Sequence, residues 1–318
     1  MKALITNPAV NADPGWAKPL LDIADIVTVS DLSRGTLLAE ARNADALIVA
    51  VEKIDQELIE SMEHCKLIHR CGIGVDVVDI PAATRAGIQV TNVPDANYKE
   101  VAAHALAMIF ALSRRLNQWD ATLKAGGYDT TGVGPTIHRP ESQQLGILGL
   151  GKIGKIVAKV GLAAGYKVVG FDPFVDAAKA AELGVQLASL EEVIATSNIL
   201  TLHTPLTPEN YHFIDAEAIA TMPAGATIVN VSRGGLIDED ALAQALIDGH
   251  LSGAGIDTFE REPPAPDNPL RTLPNVLLSP HAAHWSVEAM RETMEKSFAE
   301  VARVFKNEAP INPVNHLD

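Results

Sequence analysis

Three polar side chains that suit proton transfer and carboxylate binding follow strand-like segments in the second half of the chain: Arg233, Glu262 and His281. A histidine gives and takes a proton near neutral pH, which serves a reaction that builds charge on a substrate oxygen. A carboxylate beside it would orient the imidazole and favour its protonated form. An arginine offers a planar fork for a substrate carboxylate. Together these residues predict acid–base chemistry on an anionic substrate.

Each of these residues also has an ordinary interpretation. A histidine that follows a proline is more often a surface or core residue, Glu262 could be a solvated loop charge, and Arg233 could pair with Asp238. The catalytic interpretation is favoured because ligands of open α/β sheets bind beyond the carboxyl ends of the strands, where all three would converge. Ser232 lacks the pattern of a nucleophile elbow, which argues against a hydrolase.

A glycine-rich motif lies upstream of these residues, directly after the apolar segment Leu145–Leu148. Gly149 permits a tight turn, Gly151 lets backbone amides approach a pyrophosphate, and Gly154 lets the following helix pack on the strand. The positive end of that helix favours the negative charge of the phosphates. Taken alone, the motif fits a tight turn without a ligand equally well.

The segment after the motif supports a dinucleotide site. Lys167–Phe171 is followed by Asp172, about 20 residues beyond the motif, where a carboxylate can bind the ribose hydroxyls of adenosine. A carboxylate at this position would repel the additional phosphate of NADP, so NAD is the predicted cofactor. The alternative for Asp172 is a turn former before Pro173, which its spacing disfavours.

Short β-rich segments alternate with helical ones along the chain, which predicts mostly parallel sheets with helices on both faces. The predicted strands are Lys2–Thr6, Ile26–Val29, Ala46–Val51, Leu67–Arg70, Ile88–Thr91, Leu145–Leu148, Val168–Phe171, Ile199–Leu202, Thr227–Val231, Ala254–Ile256 and Val276–Leu278.

Two long helical patterns, Tyr98–Leu123 and Val287–Lys306, bracket the second series of strands. They predict that the chain leaves its first domain and returns to it. We therefore expect an α/β protein with two doubly wound parallel-sheet domains: a discontinuous substrate domain of residues 1–98 and 287–318, and a central Rossmann NAD-binding domain of residues 99–286. The active site is expected in the cleft between them.

Composition limits the partners and the location of the protein. A length of 318 residues suits two domains, and 40 acidic against 25 basic residues give a charge of −15 that repels nucleic acids and anionic membranes. The absence of a signal-like N-terminus and of a long apolar segment predicts a cytoplasmic protein.

Possible metal ligands cluster in sequence without a zinc-like spacing, so core residues and no metal are expected. They are His64, Cys65, His69 and Cys71.

The chain resembles the D-isomer-specific 2-hydroxyacid dehydrogenase family over nearly its whole length. Gly72–Asp76 looks like the family's substrate loop, Val93–Pro94 with Glu100–Ala102 like its hinge segment, and His203–Thr207 like its cofactor-side strand end. The resemblance implies an NAD-dependent oxidoreductase that interconverts small 2-keto and 2-hydroxy acids. It also implies a homodimer, for which Tyr98–Leu123 offers an apolar face, although that face could instead cover its own domain.

The resemblance gives each site residue an expected role. His281 would be the proton donor and acceptor, Glu262 its partner, Arg233 the ligand of the substrate carboxylate, and Asp257 a ligand of the nicotinamide carboxamide. The expected substrate-binding residues are Gly74, Val75, Arg233, His284 and Trp285. The expected cofactor-binding residues are Gly149, Gly151, Lys152, Ile153, Gly154, Asp172, Thr204, Pro205, Val231, Arg233, Asp257 and His281.

Two departures from the family pattern concern the substrate. His284 and Trp285 stand where the corepressor-related branch commonly has Trp and Tyr, so the substrate side chain stays undetermined. The phosphoglycerate branch usually has an arginine just after the third strand, whereas this chain has Glu52. A carboxylate there would repel a phosphorylated substrate, which favours a small unphosphorylated keto acid.

Two other functions compete with this prediction. The first is an NAD-sensing binding protein of the corepressor type, which would keep the catalytic trio with little turnover. The second is an NAD-dependent hydrolase or amino-acid dehydrogenase on a similar fold, which would need a different residue set near the nicotinamide.

Overall fold

The computed structural model describes residues 1–7, 10–29, 31 and 33–317. The chain divides into two compact units, which we call unit 1 (Met1–Asn97 and Trp285–Asp318) and unit 2 (Tyr98–His284). In the part of the chain that the structure describes, no helix combines the length and the apolar composition that a bilayer crossing requires.

Strands and helices alternate through both units. The strands are β1 Lys2–Ile5, β2 Asp25–Thr28, β3 Ala46–Val49, β4 Leu67–Arg70, β5 Gln89–Asn92, β6 Gln144–Leu148, β7 Lys167–Phe171, β8 Gln186–Leu187, β9 Ile199–Leu202, β10 Ala226–Asn230, β11 Leu251–Ile256 and β12 Val276–Leu278. The helices are α1 Pro14–Leu21, α2 Arg34–Ala41, α3 Gln56–Ser61, α4 Ile80–Arg85, α5 Tyr98–Ser113, α6 Leu116–Lys124, α7 Lys152–Ala163, α8 Ala177–Glu182, α9 Leu190–Thr196, α10 Ala216–Thr221, α11 Glu239–Ile247 and α12 Val287–Phe305.

Unit 1 contains a five-stranded sheet in the order β2-β1-β3-β4-β5, with every neighbouring pair parallel. Alternate residues of its strands enter different cores, because side chains of a strand point to opposite faces. Leu4 and Leu47 pack with α2, α3 and α4, whereas Ile5 and Ile48 pack with α1 and α12. The final helix of the chain thus completes the core of unit 1.

Unit 2 contains a seven-stranded parallel sheet in the order β12-β11-β10-β9-β6-β7-β8. One face packs against α5 and α7, and the other against α9, α10 and α11. Ile199 and Leu200, neighbours on β9, lie in the cores of opposite faces. The two parallel sheets confirm the predicted α/β fold.

Every predicted strand is present, with shifts of one to a few residues at the ends. The sequence missed β8, because a two-residue strand shows no measurable alternation.

The prediction of one helix over Tyr98–Leu123 is wrong. The chain breaks between α5 and α6 at Arg115, whose φ of 54° is left-handed and cannot continue a right-handed helix. The apolar face of α5 is buried on the sheet of unit 2, so it covers its own domain. In contrast, α6 buries no residue, and its Leu116 and Leu123 are 55% and 58% exposed.

Candidate active site

The glycine motif forms the turn between β6 and α7. Gly149 has a φ of +96°, and a Cβ there would lie 2.6 Å from the carbonyl oxygen of His203. A Cβ on Gly154 would overlap the carbonyl oxygen of Gly149. Only glycine therefore allows the first turn of α7 to sit this close to the ends of β6 and β9.

Around this turn the structure fits a bound pyrophosphate. A Cβ built on Gly151 meets no atom within 4 Å, so the backbone faces open space at this point. Gly151 is the N-cap of α7 and offers no side-chain cap to the first amides of the helix. Among the residues that the structure describes, the buried Thr204 Oγ1 has no hydrogen-bond partner. Helix amides and an unpaired hydroxyl are the donors that phosphate oxygens need.

Asp172 lies directly after β7 and is held against the glycine turn. Its Oδ2 accepts a hydrogen bond from the Leu150 amide at 2.8 Å, and its Oδ1 accepts one from the Phe174 amide at 2.9 Å. Each oxygen of an ionised carboxylate can accept a further hydrogen bond. Asp172 can therefore bind hydroxyl groups without leaving the turn.

His281 and Glu262 form a hydrogen-bonded pair beyond the carboxyl ends of β11 and β12. The Nδ1 of His281 lies 2.8 Å from Oε2 of Glu262, and the two side chains are 35% and 40% exposed. Glu262 Oε1 also accepts a hydrogen bond from the Phe259 amide at 3.1 Å. Because Glu262 engages Nδ1, any proton exchange with a substrate would fall to Nε2.

The surroundings of Glu262 favour its ionised form. Partial burial raises its pKa, but the hydrogen bond and charge of His281, the Phe259 amide and the charge of Arg233 outweigh burial, so the pKa lies below the ordinary value. Glu262 is thus a carboxylate over a wide pH range and can accept the hydrogen bond of Nδ1 of His281.

Arg233 follows β10, the strand next to β11. Asn230 donates a hydrogen bond from Nδ2 to the carbonyl oxygen of Arg233 at 2.8 Å, and the guanidinium Nη1 donates to the Ser232 carbonyl at 2.7 Å. The influence of Arg233 on the pKa of Glu262 places the guanidinium within electrostatic reach of that carboxylate. The predicted trio therefore gathers at one edge of the sheet of unit 2.

Asp257 holds the segment that carries His281. Its backbone carbonyl accepts a hydrogen bond from the His281 amide at 2.7 Å, and its carboxylate accepts one each from the amides of Ala282 (2.8 Å) and Ala283 (3.0 Å). Asp257 is 0% exposed. These bonds maintain the left-handed backbone of His281, whose φ is 53°. Contact of Asp257 with the nicotinamide carboxamide stays a prediction.

Two residues of this region were missed from the sequence. His104, on α5, has its Nε2 2.8 Å from Oγ of Ser279, and Ser279 donates to Oδ1 of Asp257 at 2.5 Å. Ser279 lies only two residues before His281, and this short spacing could have indicated that it lies near the predicted site. His104 had none, because only the packing of α5 on the sheet brings it there.

The remaining predicted cofactor residues of unit 2 lie near the ends of the central strands. Thr204 and Pro205 follow β9, and Ile153 is half-buried in the first turn of α7. Lys152 extends its Nζ to 5.7 Å from the ring centroid of Tyr98. Val231 is buried in the core, so only its backbone could face a ligand.

The predicted substrate residues are divided between the units. In unit 2, His284 lies edge-on to His281, with ring centroids 6.4 Å apart. In unit 1, Gly74 and Val75 are half-buried in the loop after β4, and Trp285 is exposed. The loop is tied to the end of β5, since Asn92 Nδ2 donates to the Ile73 carbonyl at 2.7 Å.

Glu52 lies at the carboxyl ends of β1 and β3 in unit 1. Its Oε2 accepts a hydrogen bond from Thr6 Oγ1 at 2.7 Å, and its Oε1 accepts one from Asn7 Nδ2 at 2.5 Å. These bonds fix a negative charge at the edge of the sheet where parallel α/β sheets bind ligands.

The histidines and cysteines of unit 1 form no metal centre within the described residues. Burial lowers the pKa of His69 to about 3 and raises those of Cys65 and Cys71 to about 12 and about 11. The core interpretation is confirmed for His69, which is fully buried on β4, and is wrong for His64, which is exposed.

Comparison with known proteins places this geometry in context. Residues 106–283 match the sequence model described as "D-isomer specific 2-hydroxyacid dehydrogenase, NAD binding domain". D-3-phosphoglycerate dehydrogenase of Methanocaldococcus jannaschii is 37% identical over 318 residues, which is 99% of this chain and 59% of that protein. The enzyme of the same name from Mycobacterium bovis is 39% identical over 277 residues, 87% of this chain and 52% of its own. The chain thus spans little more than half the length of these relatives.

A solved structure covers the whole chain. The D-lactate dehydrogenase of Aquifex aeolicus, complexed with NAD and lactic acid, superimposes with a TM-score of 0.89 at 29% identity, covering 100% of both chains. The names of these similar proteins agree on the reaction class and differ in substrate.

Proposed function

The chain is a member of the D-isomer-specific 2-hydroxyacid dehydrogenase family, and from that membership we propose that it interconverts a small 2-keto acid and the matching 2-hydroxy acid. NAD is the cofactor, and when bound it supplies or accepts the hydride. The observation that carries the proposal is the hydrogen bond of 2.8 Å between His281 and Glu262, in the unit that also contains the glycine turn and Asp172.

We assign the proton transfer to His281. In reduction, Nε2 of the protonated imidazole donates a proton to the carbonyl oxygen, and in oxidation the neutral imidazole takes it back. Glu262 orients the ring through Nδ1 and compensates the positive charge. Arg233 binds the substrate carboxylate through its planar fork, which aligns the carbonyl with the imidazole.

We assign the nucleotide site to the turn between β6 and α7. The open backbone at Gly151, the uncapped amides of α7 and Thr204 Oγ1 would hold the pyrophosphate, and Asp172 would bind the adenosine ribose. A carboxylate in this position supports NAD rather than NADP, because the additional phosphate would meet a like charge.

We propose a small, unphosphorylated substrate. The fixed carboxylate of Glu52 supports this, since it places a negative charge after β3, the neighbour of the strand β4 that precedes the proposed substrate loop of unit 1. Gly74, Val75, His284 and Trp285 are the proposed contacts of the rest of the substrate. The name of the phosphoglycerate dehydrogenases describes those relatives and does not decide this point.

The remaining assignments are also proposals. Unit 1 would be the substrate domain and unit 2 the NAD-binding domain. A homodimer is supported by the exposed Leu116 and Leu123 of α6 and by Tyr128 after it, which is 95% exposed. A cytoplasmic location, and the absence of nucleic-acid or membrane partners, stay predictions from composition.

A substrate panel tests the proposal. Purified protein and NADH are mixed with glyoxylate, hydroxypyruvate, pyruvate or phosphohydroxypyruvate, and NADH absorbance is followed. We expect oxidation of NADH by at least one unphosphorylated keto acid, and much slower oxidation with the His281→Gln variant under the same conditions. NADH binding without oxidation by any of the acids would favour an NAD-sensing binding protein instead.

A further inference from the structure

A hydrogen-bonded network of three polar side chains, His104, Ser279 and Asp257, connects α5 with the segment that carries His281. Nε2 of His104 lies 2.8 Å from Oγ of Ser279, and Oγ of Ser279 lies 2.5 Å from Oδ1 of Asp257. We propose that His104 is a positioning residue for His281, acting through Ser279 and Asp257. The inference rests on the proposed function only in so far as His281 transfers the proton.

The direction of each hydrogen bond follows from the groups themselves. An ionised carboxylate has no proton to give, so the Ser279 hydroxyl must donate to Asp257. The lone pairs of that hydroxyl are then left to accept, and the donor is the N–H at Nε2 of His104. His104 therefore carries a proton on Nε2, and this proton fixes which way the Ser279 hydroxyl points.

Asp257, at the end of this network, holds the backbone of His281. The carboxylate of Asp257 binds the amides of Ala282 and Ala283, and its carbonyl binds the amide of His281. With a φ of 53°, His281 has a backbone conformation that residues other than glycine rarely adopt. It persists only where surrounding contacts impose it, and here those contacts come from Asp257.

Because Asp257 is buried, the negative charge of its carboxylate must be compensated. The carboxylate is 0% exposed, and a buried charge is costly unless hydrogen bonds satisfy it. His104 Nε2 lies 3.8 Å from Oδ1 of Asp257, so a protonated His104 would also offset that charge directly. Without His104, the Ser279 hydroxyl is free to rotate away from Asp257, and the hold on the amides of Ala282 and Ala283 weakens.

Substitution of His104 tests the donor role. His104→Leu removes the N–H, whereas His104→Gln places an amide N–H at a similar reach. We expect His104→Leu to lower kcat about tenfold, the factor typical of one lost hydrogen bond to a charged network, with little change in KM. His104→Gln should recover most of the loss. A folded Gln variant as slow as the Leu variant would overturn the donor role.

A double substitution tests the path through Ser279. If His104 and Ser279 act through the same hydrogen-bonded network, His104→Leu combined with Ser279→Ala should lower kcat no further than the stronger single change. Additive losses would overturn the path. Ser279→Thr, which keeps the hydroxyl, should retain more of the kcat than Ser279→Ala.

Amide hydrogen exchange gives a readout that needs no substrate. We expect the amides of Ala282 and Ala283 to exchange faster in His104→Leu, because their acceptor is loosened. The control is His250→Leu in the same unit. Nε2 of His250 lies 2.9 Å from the Ile219 carbonyl and takes no part in the network of His104, Ser279 and Asp257. This variant should leave both amides unchanged.

The two readouts separate the inference from the proposed function. Faster exchange in His104→Leu, in a protein that oxidises NADH with none of the keto acids, would leave the network standing and reject the reaction. Wild-type exchange at Ala282 and Ala283 together with wild-type kcat would reject the network and leave the reaction standing.

Discussion

Glu262 and His281 meet through one hydrogen bond, with Oε2 of the carboxylate 2.8 Å from Nδ1 of the imidazole. The pKa of Glu262 is lowered by this bond and by the nearby charges, which outweigh burial. A carboxyl group with a lowered pKa keeps its interaction at higher pH and loses it as pH falls through that pKa. The pair is therefore intact above about pH 4.5, the ordinary value, and is lost only in stronger acid.

The first prediction concerns the pH profile of this pair. Reduction needs the protonated imidazole, so kcat/KM for reduction should fall as pH rises, while oxidation rises because it needs the neutral base. Glu262→Gln removes the negative charge beside Nδ1 but keeps the size of the side chain, so the pH profile of reduction should differ from that of wild type. His281→Gln should lower both directions and abolish the fall of reduction with pH. A Glu262→Gln profile that overlays wild type, with His281→Gln fully active, would show that the pair is structural.

The second prediction concerns the geometry of the Arg233 fork. Arg233→Lys keeps the charge, but an ammonium group cannot bind a carboxylate through two parallel hydrogen bonds, so kcat/KM should fall about a hundredfold. Steady-state kinetics should show the loss in both kcat and KM. Arg271→Lys, an exposed arginine of the same unit, serves as the control and should match wild type. Near wild-type kcat/KM in Arg233→Lys would remove Arg233 from its role.

The third prediction concerns the choice between the two nicotinamide dinucleotides. Asp172 would face the additional phosphate of NADPH as a like charge, so kcat/KM should favour NADH by about a hundredfold. Asp172→Ser should narrow this ratio. Asp176→Asn is a matched change, since it removes an exposed charge after the same strand while keeping a capping side chain on α8. Comparable kcat/KM for both cofactors in wild type would contradict the role of Asp172.

The fourth prediction separates two glycines of the same turn. Gly151→Ala adds a methyl group in open space, so the unfolding temperature should not change. The methyl group should keep the pyrophosphate away from the backbone at this residue, so the Kd of NADH should rise about tenfold. Gly154→Ala forces a methyl group onto the Gly149 carbonyl and should lower the free energy of unfolding by about 1 to 3 kcal/mol. Thermal unfolding and NADH titration measure both effects. Equal stability losses in the two variants would refute the distinction.

The fifth prediction concerns acid stability. Burial lowers the pKa of His69 from 6.5 to about 3, so between these values the unfolded state binds a proton that the folded state does not. Stability should therefore decrease as pH falls through this range, with His69 contributing about 1.4 kcal/mol per pH unit.

His69→Asn checks this contribution. An asparagine amide can keep the contact with Thr91 Oγ1, which lies 2.8 Å from Nδ1 of His69, but it does not titrate. Urea unfolding at several pH values should show a shallower acid slope than wild type. Some slope should remain, because burial also lowers the pKa of His203 to about 3. Exposed His316→Asn is the control, and an unchanged slope in His69→Asn would refute the assignment.

Local features of the sequence were sufficient for the fold class and for the strand ends. Alternating apolar segments located every strand except β8, and the glycine spacing located the turn before α7. These signals are local because strand alternation, tight turns and helix starts depend on residues a few positions apart. The same locality failed at Arg115, where a left-handed residue separates α5 from α6 without a glycine or proline to mark it.

The sequence by itself therefore determined which residue types follow which strands, and with them the expected set of Arg233, Glu262 and His281. Only the tertiary structure decided how His281 is held. His104 and Ser279 are 175 residues apart, and their contact at 2.8 Å exists because α5 packs across the sheet beside β11. Contacts of this kind arise from the packing of whole elements, so no spacing along the chain encodes them.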